Sequence, residues 1–110
     1  MTERVLPADA LRGHVDTIIL KLLIGGDKYG YQIGNLVFDL SDRLYEMNEA
    51  TMYASLKRLE LGQQIISYWG DEKTQGGRRK YYKITGFGRD TYEQNIANWQ
   101  LAKLILSKLL

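Results

Sequence analysis

Residues 48–60 carry the side chains of this sequence that are best suited to hydrogen bonding with a nucleic acid. Amide, hydroxyl, ammonium and guanidinium groups can donate to phosphates or to base edges. They belong here to Asn48, Thr51, Ser55, Lys57 and Arg58, with Glu49 as the one acid among them. A solvated helix surface has a similar composition, so this segment alone favours a DNA contact only weakly.

The same segment has the apolar spacing of a short amphipathic helix. Met52, Leu56 and Leu59 recur at intervals of four and then three residues, which places them on one side of a helix. Asn48 can accept the first free backbone amides as an N-cap, and Gly62 follows the last periodic residue, where helices commonly end. The apolar side therefore predicts a core contact, and the polar side remains for solvent or a ligand.

The sequence contains no set of residues suited to catalysis or to metal binding. The sequence has no cysteine and His14 is its single histidine, which excludes thiolate sites and makes a metal centre a poor candidate. The acidic residues are scattered and form no evident acid–base set. Gly25, Gly26 and Gly30 lack the Gly-Lys-Ser/Thr ending of a phosphate loop, and they follow a helical pattern where a strand is required. We therefore expect no enzyme activity, no cofactor and no metal.

Length and composition are those of a small globular protein. The 110 residues fit one domain, and with 45% hydrophobic and 25% charged residues the chain can bury a core. The net charge is only +2, so a nucleic-acid role depends on where the basic residues lie. No stretch resembles a secretory signal or approaches the length of a membrane span, which predicts a cytoplasmic protein without membrane contact.

A first helix is predicted from Ala10 to the Gly25-Gly26 pair. Its apolar residues recur at helical spacing and are Leu11, Val15, Ile18, Ile19, Leu22 and Leu23. Its other side carries Arg12, His14, Thr17 and Lys21. A histidine on such a side is more often solvated or part of an interface than a metal ligand.

A second helix is predicted to open at Tyr29 and to continue to Leu40. Gly30 and Gly34 lower its intrinsic helix propensity, but they would let a neighbouring helix approach closely. Residues 41–47 then form a polar connection to residue 48. Three of its side chains are able to turn inward, namely Leu44, Tyr45 and Met47.

After Gly62 the pattern changes to that of a β-hairpin. Residues 65–69 and 80–85 are rich in β-branched and aromatic side chains, and a polar stretch with two glycines separates them. Arg78, Arg79 and Lys80 form a basic flank, which is typical of a wing that lies along the DNA backbone. An edge strand protected from aggregation by basic side chains is an equally good interpretation of this feature alone.

Residues 89–110 are predicted to form one final helix with too much apolar surface for a single small domain to cover. A first apolar set comprises Tyr92, Ile96, Trp99, Leu106 and Leu110. A second set comprises Leu101, Leu104, Ile105 and Leu109. The surplus predicts a homodimer through this helix. Lys103 is compatible with such an interface because its methylene stem can be buried while its ammonium reaches water.

The order helix, helix, helix, hairpin, long helix predicts a mainly α winged helix-turn-helix fold with a small β-hairpin and a C-terminal dimerisation helix. Several short segments make the pattern more specific. They are Ile18-Ile19-Leu20 with Leu22-Leu23, Tyr29-Gly30-Tyr31-Gln32-Ile33, Asn48-Glu49-Ala50-Thr51-Met52-Tyr53, Lys57-Arg58-Leu59-Glu60, and Gly76-Gly77-Arg78-Arg79-Lys80-Tyr81-Tyr82 with Thr85 and Gly88. In this order they resemble the PadR family of bacterial transcriptional regulators, especially its short multidrug-binding members, although Ala54 stands where that family often has proline.

The resemblance implies roles for individual residues. The third helix would enter the major groove of double-stranded operator DNA, and the hairpin would contact the flanking backbone. The DNA-binding residues implied are Asn48, Thr51, Tyr53, Lys57, Lys73, Arg78, Arg79 and Lys80, with Tyr29 as a secondary candidate. Tyr31 is expected in the core, and Arg58 and Glu60 are expected to fix the helix to the wing.

The resemblance also implies an effector site at the dimer interface, in which a tryptophan of the last helix stacks on a planar aromatic compound. Trp99 matches that position, although a tryptophan there is ordinarily interface packing. The residues expected to line the site are Trp99, Ile96, Gln100, Lys103, Ala10, His14 and Thr17. Residues 1–85 would then be the DNA-binding domain and residues 86–110 the dimerisation helix. A protein-interaction module and a regulator without an effector are the alternatives.

Overall fold

The structure, a computed structural model, describes residues 6–7, 9–74 and 77–110, with only the backbone described for residues 72–74. A short 3-10 turn at Arg12–His14 precedes the first helix. The helices are α1 (Val15–Ile24), α2 (Gly30–Leu40), α3 (Glu49–Leu61) and α4 (Gly86–Leu109), and the strands are β1 (Lys28–Tyr29), β2 (Ile65–Thr74) and β3 (Gly77–Ile84). This is the predicted winged helix-turn-helix arrangement, except that the first helix begins later than Ala10.

The hairpin belongs to a three-stranded antiparallel sheet in the order β1-β3-β2. Strand β1 places Lys28 opposite Tyr82 and Tyr29 opposite Tyr81, so it ties the wing to the turn between α1 and α2. A two-residue strand gives no periodic signal, which is why the sequence did not predict it. The strands of the hairpin also extend further than predicted, with an irregularity in their pairing between Trp69 and Lys73.

The hydrophobic core lies where α1, α2 and α3 meet the inner face of the sheet. Its buried apolar side chains are Val15, Ile19, Leu20, Leu23, Ile33, Val37, Tyr45, Met47, Met52, Leu56, Leu59, Ile65, Tyr82 and Ile84. The predicted core side of α3 is confirmed. In the connection between α2 and α3, Tyr45 and Met47 turn inward as expected, whereas Leu44 is 45% exposed.

Two side-chain caps set where the later helices begin. The Oδ1 atom of Asn48 accepts the amide of Thr51 at 3.1 Å, which confirms its predicted role at the start of α3. Thr85 Oγ1 accepts the amide of Gly88 at 3.0 Å, so α4 begins at Gly86 and not at residue 89. A Cβ at Gly88 would overlap the Gln64 carbonyl, so glycine allows α4 to start against this loop.

Helix α4 has 24 residues and is therefore about 36 Å long. Its first half packs on α1, where Asn95 Nδ2 donates to Thr17 Oγ1 at 2.9 Å. Residues 97–110 are all exposed. Leu101, Leu104, Ile105, Leu106 and Leu109 lie on this uncovered part, so a single chain leaves a long apolar surface without a partner.

Candidate nucleic-acid interface and the adjoining cleft

Helix α3 turns most of its predicted DNA-binding residues away from the core. Asn48, Tyr53 and Lys57 are exposed, and Thr51 is half-buried. Because the Oδ1 atom of Asn48 is used as the helix cap, only its Nδ2 hydrogens remain to donate to a DNA acceptor. The face that is left for DNA therefore combines the Lys57 cation with hydrogen-bond donors, and the exposed Glu49 is the acid beside them.

The polar surface of α3 is narrower than the sequence indicated, because Ser55 and Arg58 contact α1. Ser55 is only 1% exposed, and its hydroxyl donates to Asp16 Oδ1 at 2.7 Å. The Arg58 guanidinium donates to both carboxylate oxygens of Asp16, at 2.6 and 3.2 Å. The hydrogen bonds and the charge of Asp16 raise the pKa of Arg58 above its ordinary value. The expectation that Arg58 fixes the helix to the wing is wrong, since its partner lies on α1.

Glu60 does join α3 to the wing, as expected. Ser67 of β2 donates its hydroxyl to Glu60 Oε2, and the ammonium of Lys80 on β3 lies 3.8 Å from Glu60 Oε1. Burial raises the pKa of the nearby Tyr82 hydroxyl, and the charges of Glu60 and Tyr53 add to this effect. Lys80 is therefore already partly neutralised, whereas Arg78 and Arg79 are exposed.

The outer face of the sheet is a row of tyrosines with an arginine at one end. The rings of Tyr29 and Tyr81 meet edge to face at 5.6 Å, and those of Tyr68 and Tyr81 stack at 5.7 Å. The Arg79 guanidinium lies 4.5 Å from the centroid of the Tyr29 ring, a cation–π contact that holds it beside β1. The side chain of Lys73, the remaining predicted wing contact, lies outside the described residues.

The expectation that Tyr31 lies in the core is wrong. Its side chain is 71% exposed and lines an open groove of about 580 Å³ between α2 and α3, together with Asn35, Asn48 and Tyr53. Tyr31 precedes the core residue Ile33 by two positions, which places the two side chains about 160° apart around the helix. The helical period thus contained the signal that places Tyr31 and Asn35 on the surface, and both were missed.

An apolar cleft of about 480 Å³ separates α1 from the first half of α4 and reaches inward to α2 and the residues that follow it. Of the seven residues expected at an effector site, His14, Thr17, Ile96 and Trp99 line this cleft. The other nine lining residues were not predicted from the sequence. They are Leu11, Ile18, Lys21, Leu22, Val37, Leu40, Ser41, Tyr45 and Tyr92.

The remaining expected effector residues lie elsewhere on the chain. Lys103 holds its ammonium 5.3 Å from the Trp99 ring and lines an adjoining depression of about 400 Å³. Ala10 and Gln100 line neither cavity. A single chain therefore brings together only part of the predicted effector site.

Within residues 6–7, 9–74 and 77–110, no group of three or more His, Asp or Glu side chains is arranged to hold a metal ion. Over the same part of the chain, no helix has the length and hydrophobicity needed to cross a membrane. The α3–wing face and the cleft beside α4 are two surfaces of the described residues that offer specific contacts.

Comparison with known proteins gives concordant relatives. The model of the transcriptional regulator PadR-like family matches residues 19–94. Uncharacterized protein X of Lysinibacillus sphaericus is 38% identical over 99 residues, which cover 90% of each chain. A transcriptional regulator from Clostridium thermocellum is 44% identical, with a TM-score of 0.86 over 94% of this chain and 97% of that one. A PadR family transcription regulator from Clostridium difficile is 37% identical, with a TM-score of 0.74 over 88% and 98%.

Proposed function

Because the chain belongs to the PadR-like family of transcriptional regulators, we propose that it is a dimeric repressor whose α3 helices read operator DNA. A planar aromatic or hydrophobic compound bound at the dimer interface relieves the repression, and an exporter of such compounds is a fitting target gene. The observation that carries the proposal is the outward-facing side of α3 next to the exposed arginines of the wing. Members of such a family regulate transcription and are not enzymes.

Base reading is assigned to the exposed side of α3. Thr51 and Tyr53 carry hydroxyls, Asn48 has free amide hydrogens, and Lys57 supplies a positive charge. The Asp16–Arg58 contact supports this assignment, because it fixes the rotation of α3 on α1 and so keeps these side chains pointing outward. A helix fixed in this way can enter the major groove without first paying an ordering cost.

Backbone contacts are assigned to the wing. Arg78 and Arg79 provide charge for phosphates on the flank of the site, and Tyr29 holds the Arg79 guanidinium in position. Lys80 is the weakest of the candidates with described side chains, since its ammonium lies within 3.8 Å of Glu60. We assign it mainly to keeping the wing in register with α3. Lys73 completes the set as a candidate from the sequence.

Dimerisation is assigned to α4, which makes residues 1–85 the DNA-binding part and residues 86–110 the dimerisation helix. The uncovered apolar side chains between residues 97 and 110 support this, because burying them against a second copy removes them from water. A two-fold dimer binds successive major-groove faces when its recognition helices lie about 34 Å apart. The packing of α4 on α1 then decides this distance.

Relief of repression follows from where the cleft lies. Its walls are α1, which holds α3 through Asp16, and α4, which joins the two copies. A compound that binds more tightly when these helices are further apart shifts the dimer toward a spacing that does not fit DNA. Scattering curves of the dimer that are identical with and without saturating compound would contradict this mechanism.

The dimer is tested by placing a charge on its proposed interface. Ile105→Glu should convert the dimer to monomers in light scattering, because the carboxylate cannot be buried without a partner. Ser107→Glu is a matched control, since a position two residues further lies about 160° away round the helix. Equal masses for both variants and the wild type would show that this side of α4 is not the interface.

DNA reading is tested by titrating duplexes from the region upstream of the gene and unrelated duplexes of equal length. We expect affinity to fall steeply between about 50 and 200 mM salt and the upstream duplex to be preferred. Arg78→Ala should weaken binding to both duplexes and lower the salt slope by about 1, whereas Thr51→Ala should reduce the preference. Lys108→Ala, at the far end of α4, is the control. Absence of any preference in the wild type would overturn sequence-specific repression.

A further inference from the structure

The side of α3 that lies opposite the core is formed by two alanines. Ala50 and Ala54 are both exposed and lie four residues apart, so their methyl groups point in nearly the same direction. Each residue advances about 100° around a helix, which places Ala54 about 160° from the buried side chains of Met52 and Leu56. The two alanine methyls are therefore the apolar groups that α3 presents furthest from the core.

The larger side chains next to these alanines lean away from them. A Cβ at Gly30 would lie 2.8 Å from Cζ of Tyr53, so the Tyr53 ring packs against the start of α2. On the other side, the Arg58 guanidinium donates to both carboxylate oxygens of Asp16 on α1. These contacts leave the alanine methyls open to a molecule that approaches α3 from outside, with the exposed Lys57 one turn further along.

Helix propensity does not account for the placement of the two alanines. Alanine is the best helix former, and propensity alone would favour it at every exposed position of α3. The other exposed positions of this helix all carry larger side chains, so alanine is confined to the line opposite the core. Small side chains along one line let a helix approach a surface closely.

A methyl group has only one apolar partner in the major groove of DNA. It offers no hydrogen-bond donor or acceptor, so it cannot bond to the polar edges of the bases, but it can contact the 5-methyl group of thymine. Ala50 and Ala54 are separated by about 6 Å along the helix axis, close to two base-pair steps of about 3.4 Å. The pair can therefore contact thymines at two neighbouring positions.

We infer that Ala50 and Ala54 contact thymine 5-methyl groups, so that α3 selects A·T pairs at two positions of each half-site by apolar contact. The inference rests on the proposed function, in which base reading was assigned to the polar side chains of α3. It adds two specificity-determining residues that form no hydrogen bond to DNA through their side chains.

The test removes the methyl groups from the DNA. Deoxyuridine in place of thymidine takes away the 5-methyl group and keeps the base pairing. Thymines of the preferred upstream duplex are replaced one at a time, and affinity is measured by fluorescence anisotropy. We expect wild-type binding to weaken about three- to fivefold at two thymines of each half-site, the contribution of one buried methyl group.

Removing the methyl groups from the protein completes a double-mutant cycle. Ala50→Gly should lose the sensitivity to uracil at one of these positions, and Ala54→Gly should lose it at the other. A weaker helix in either variant affects binding to the thymine and uracil duplexes equally, so it does not alter their ratio. Ala97→Gly, the same change at an exposed position of α4, should keep the wild-type sensitivity at both positions.

The outcomes separate this inference from the proposed function. Wild-type affinity that no uracil changes would overturn the inference, and this comparison requires no variant. Sensitivity that both glycine variants retain would also overturn it, because the loss would then come from altered DNA shape. Absence of any preference for the upstream duplex, measured before uracil is introduced, would overturn the proposed function and this inference with it.

Discussion

Asp16 on α1 and Arg58 on α3 are joined by two hydrogen bonds, from Nη2 to Oδ1 at 2.6 Å and from Nε to Oδ2 at 3.2 Å. The same carboxylate accepts the hydroxyl of the buried Ser55 at 2.7 Å. On the adjacent residue of α1, Thr17 accepts a hydrogen bond from α4. Consecutive residues of the short helix α1 therefore hold α3 and α4 in a fixed relation.

Removing the Asp16 carboxylate should weaken the fold. For Asp16→Ala we expect a loss of about 1 to 2 kcal/mol in the free energy of unfolding, because Ser55 and Arg58 lose a shared acceptor at a partly exposed site. Asp9→Ala is the control, since its pair with Arg12 is wider, at 3.8 Å, and largely exposed. Urea unfolding at fixed protein concentration measures both changes, and equal losses would contradict a special role for Asp16.

Two glycines of α2 should respond in opposite ways to the same substitution. A Cβ at Gly30 would lie 2.8 Å from Cζ of Tyr53, whereas a Cβ at Gly34 meets only the Met52 sulfur at 4.0 Å. Gly30→Ala should therefore destabilise by about 1 to 3 kcal/mol through overpacking. Gly34→Ala should be neutral or stabilising by up to about 1 kcal/mol, because alanine favours the helix. Thermal unfolding compares them, and recovery of Gly30→Ala by Tyr53→Ala would identify the clash.

Tyr29 should contribute to DNA affinity only through its contact with Arg79. We expect Tyr29→Leu to weaken binding about two- to fivefold, as loss of an exposed cation–π contact implies. In an Arg79→Ala background the same change should have no further effect, and Tyr29→Phe should retain wild-type affinity. A double-mutant cycle by fluorescence anisotropy measures the coupling. Additive losses would mean that Tyr29 acts on DNA by itself.

Stability should decline at alkaline pH because two tyrosines are buried. Burial raises the pKa of both Tyr45 and Tyr82 in the folded chain. When the pH rises above about 10, the unfolded chain loses these protons first, so the free energy of unfolding falls. Replacing both tyrosines by phenylalanine should make this decline shallower in urea unfolding between pH 9 and about 11. An unchanged slope would mean that neither hydroxyl contributes.

Local patterns predicted α3 well because its determinants are close together in sequence. The spacing of Met52, Leu56 and Leu59 identified the core side, and the cap at Asn48 and the end at Gly62 require only neighbouring backbone groups. The wing was found from β-branched and aromatic residues, although its strands are longer than the pattern indicated. Short-range rules were sufficient for these elements.

Short-range rules could not predict contacts between residues that lie far apart in the sequence. Ser55 has the composition of a surface residue, and its burial depends on Asp16, which lies 39 positions earlier in the chain. Arg58 was assigned to the wing for the same reason, because nothing in its own segment identifies α1 as the neighbour. The inner part of the cleft was missed because Tyr45 lies in a connection without periodicity, and its unpaired hydroxyl is a property of the packed fold alone.

The part of α4 that extends past its contact with α1 amplifies any tilt of the helix into a larger displacement at its far end. Residues 97–110 project about 21 Å beyond the Asn95–Thr17 hydrogen bond, so a tilt of about 10° at that point moves the far end by roughly 4 Å. In the proposed two-fold dimer both copies of this segment would tilt together, which would double the displacement between the two α3 helices. Following such a shift would require DNA to deform at an energetic cost, so under the proposed mechanism a compound about as thick as one aromatic ring beside Trp99 would be enough to weaken DNA binding.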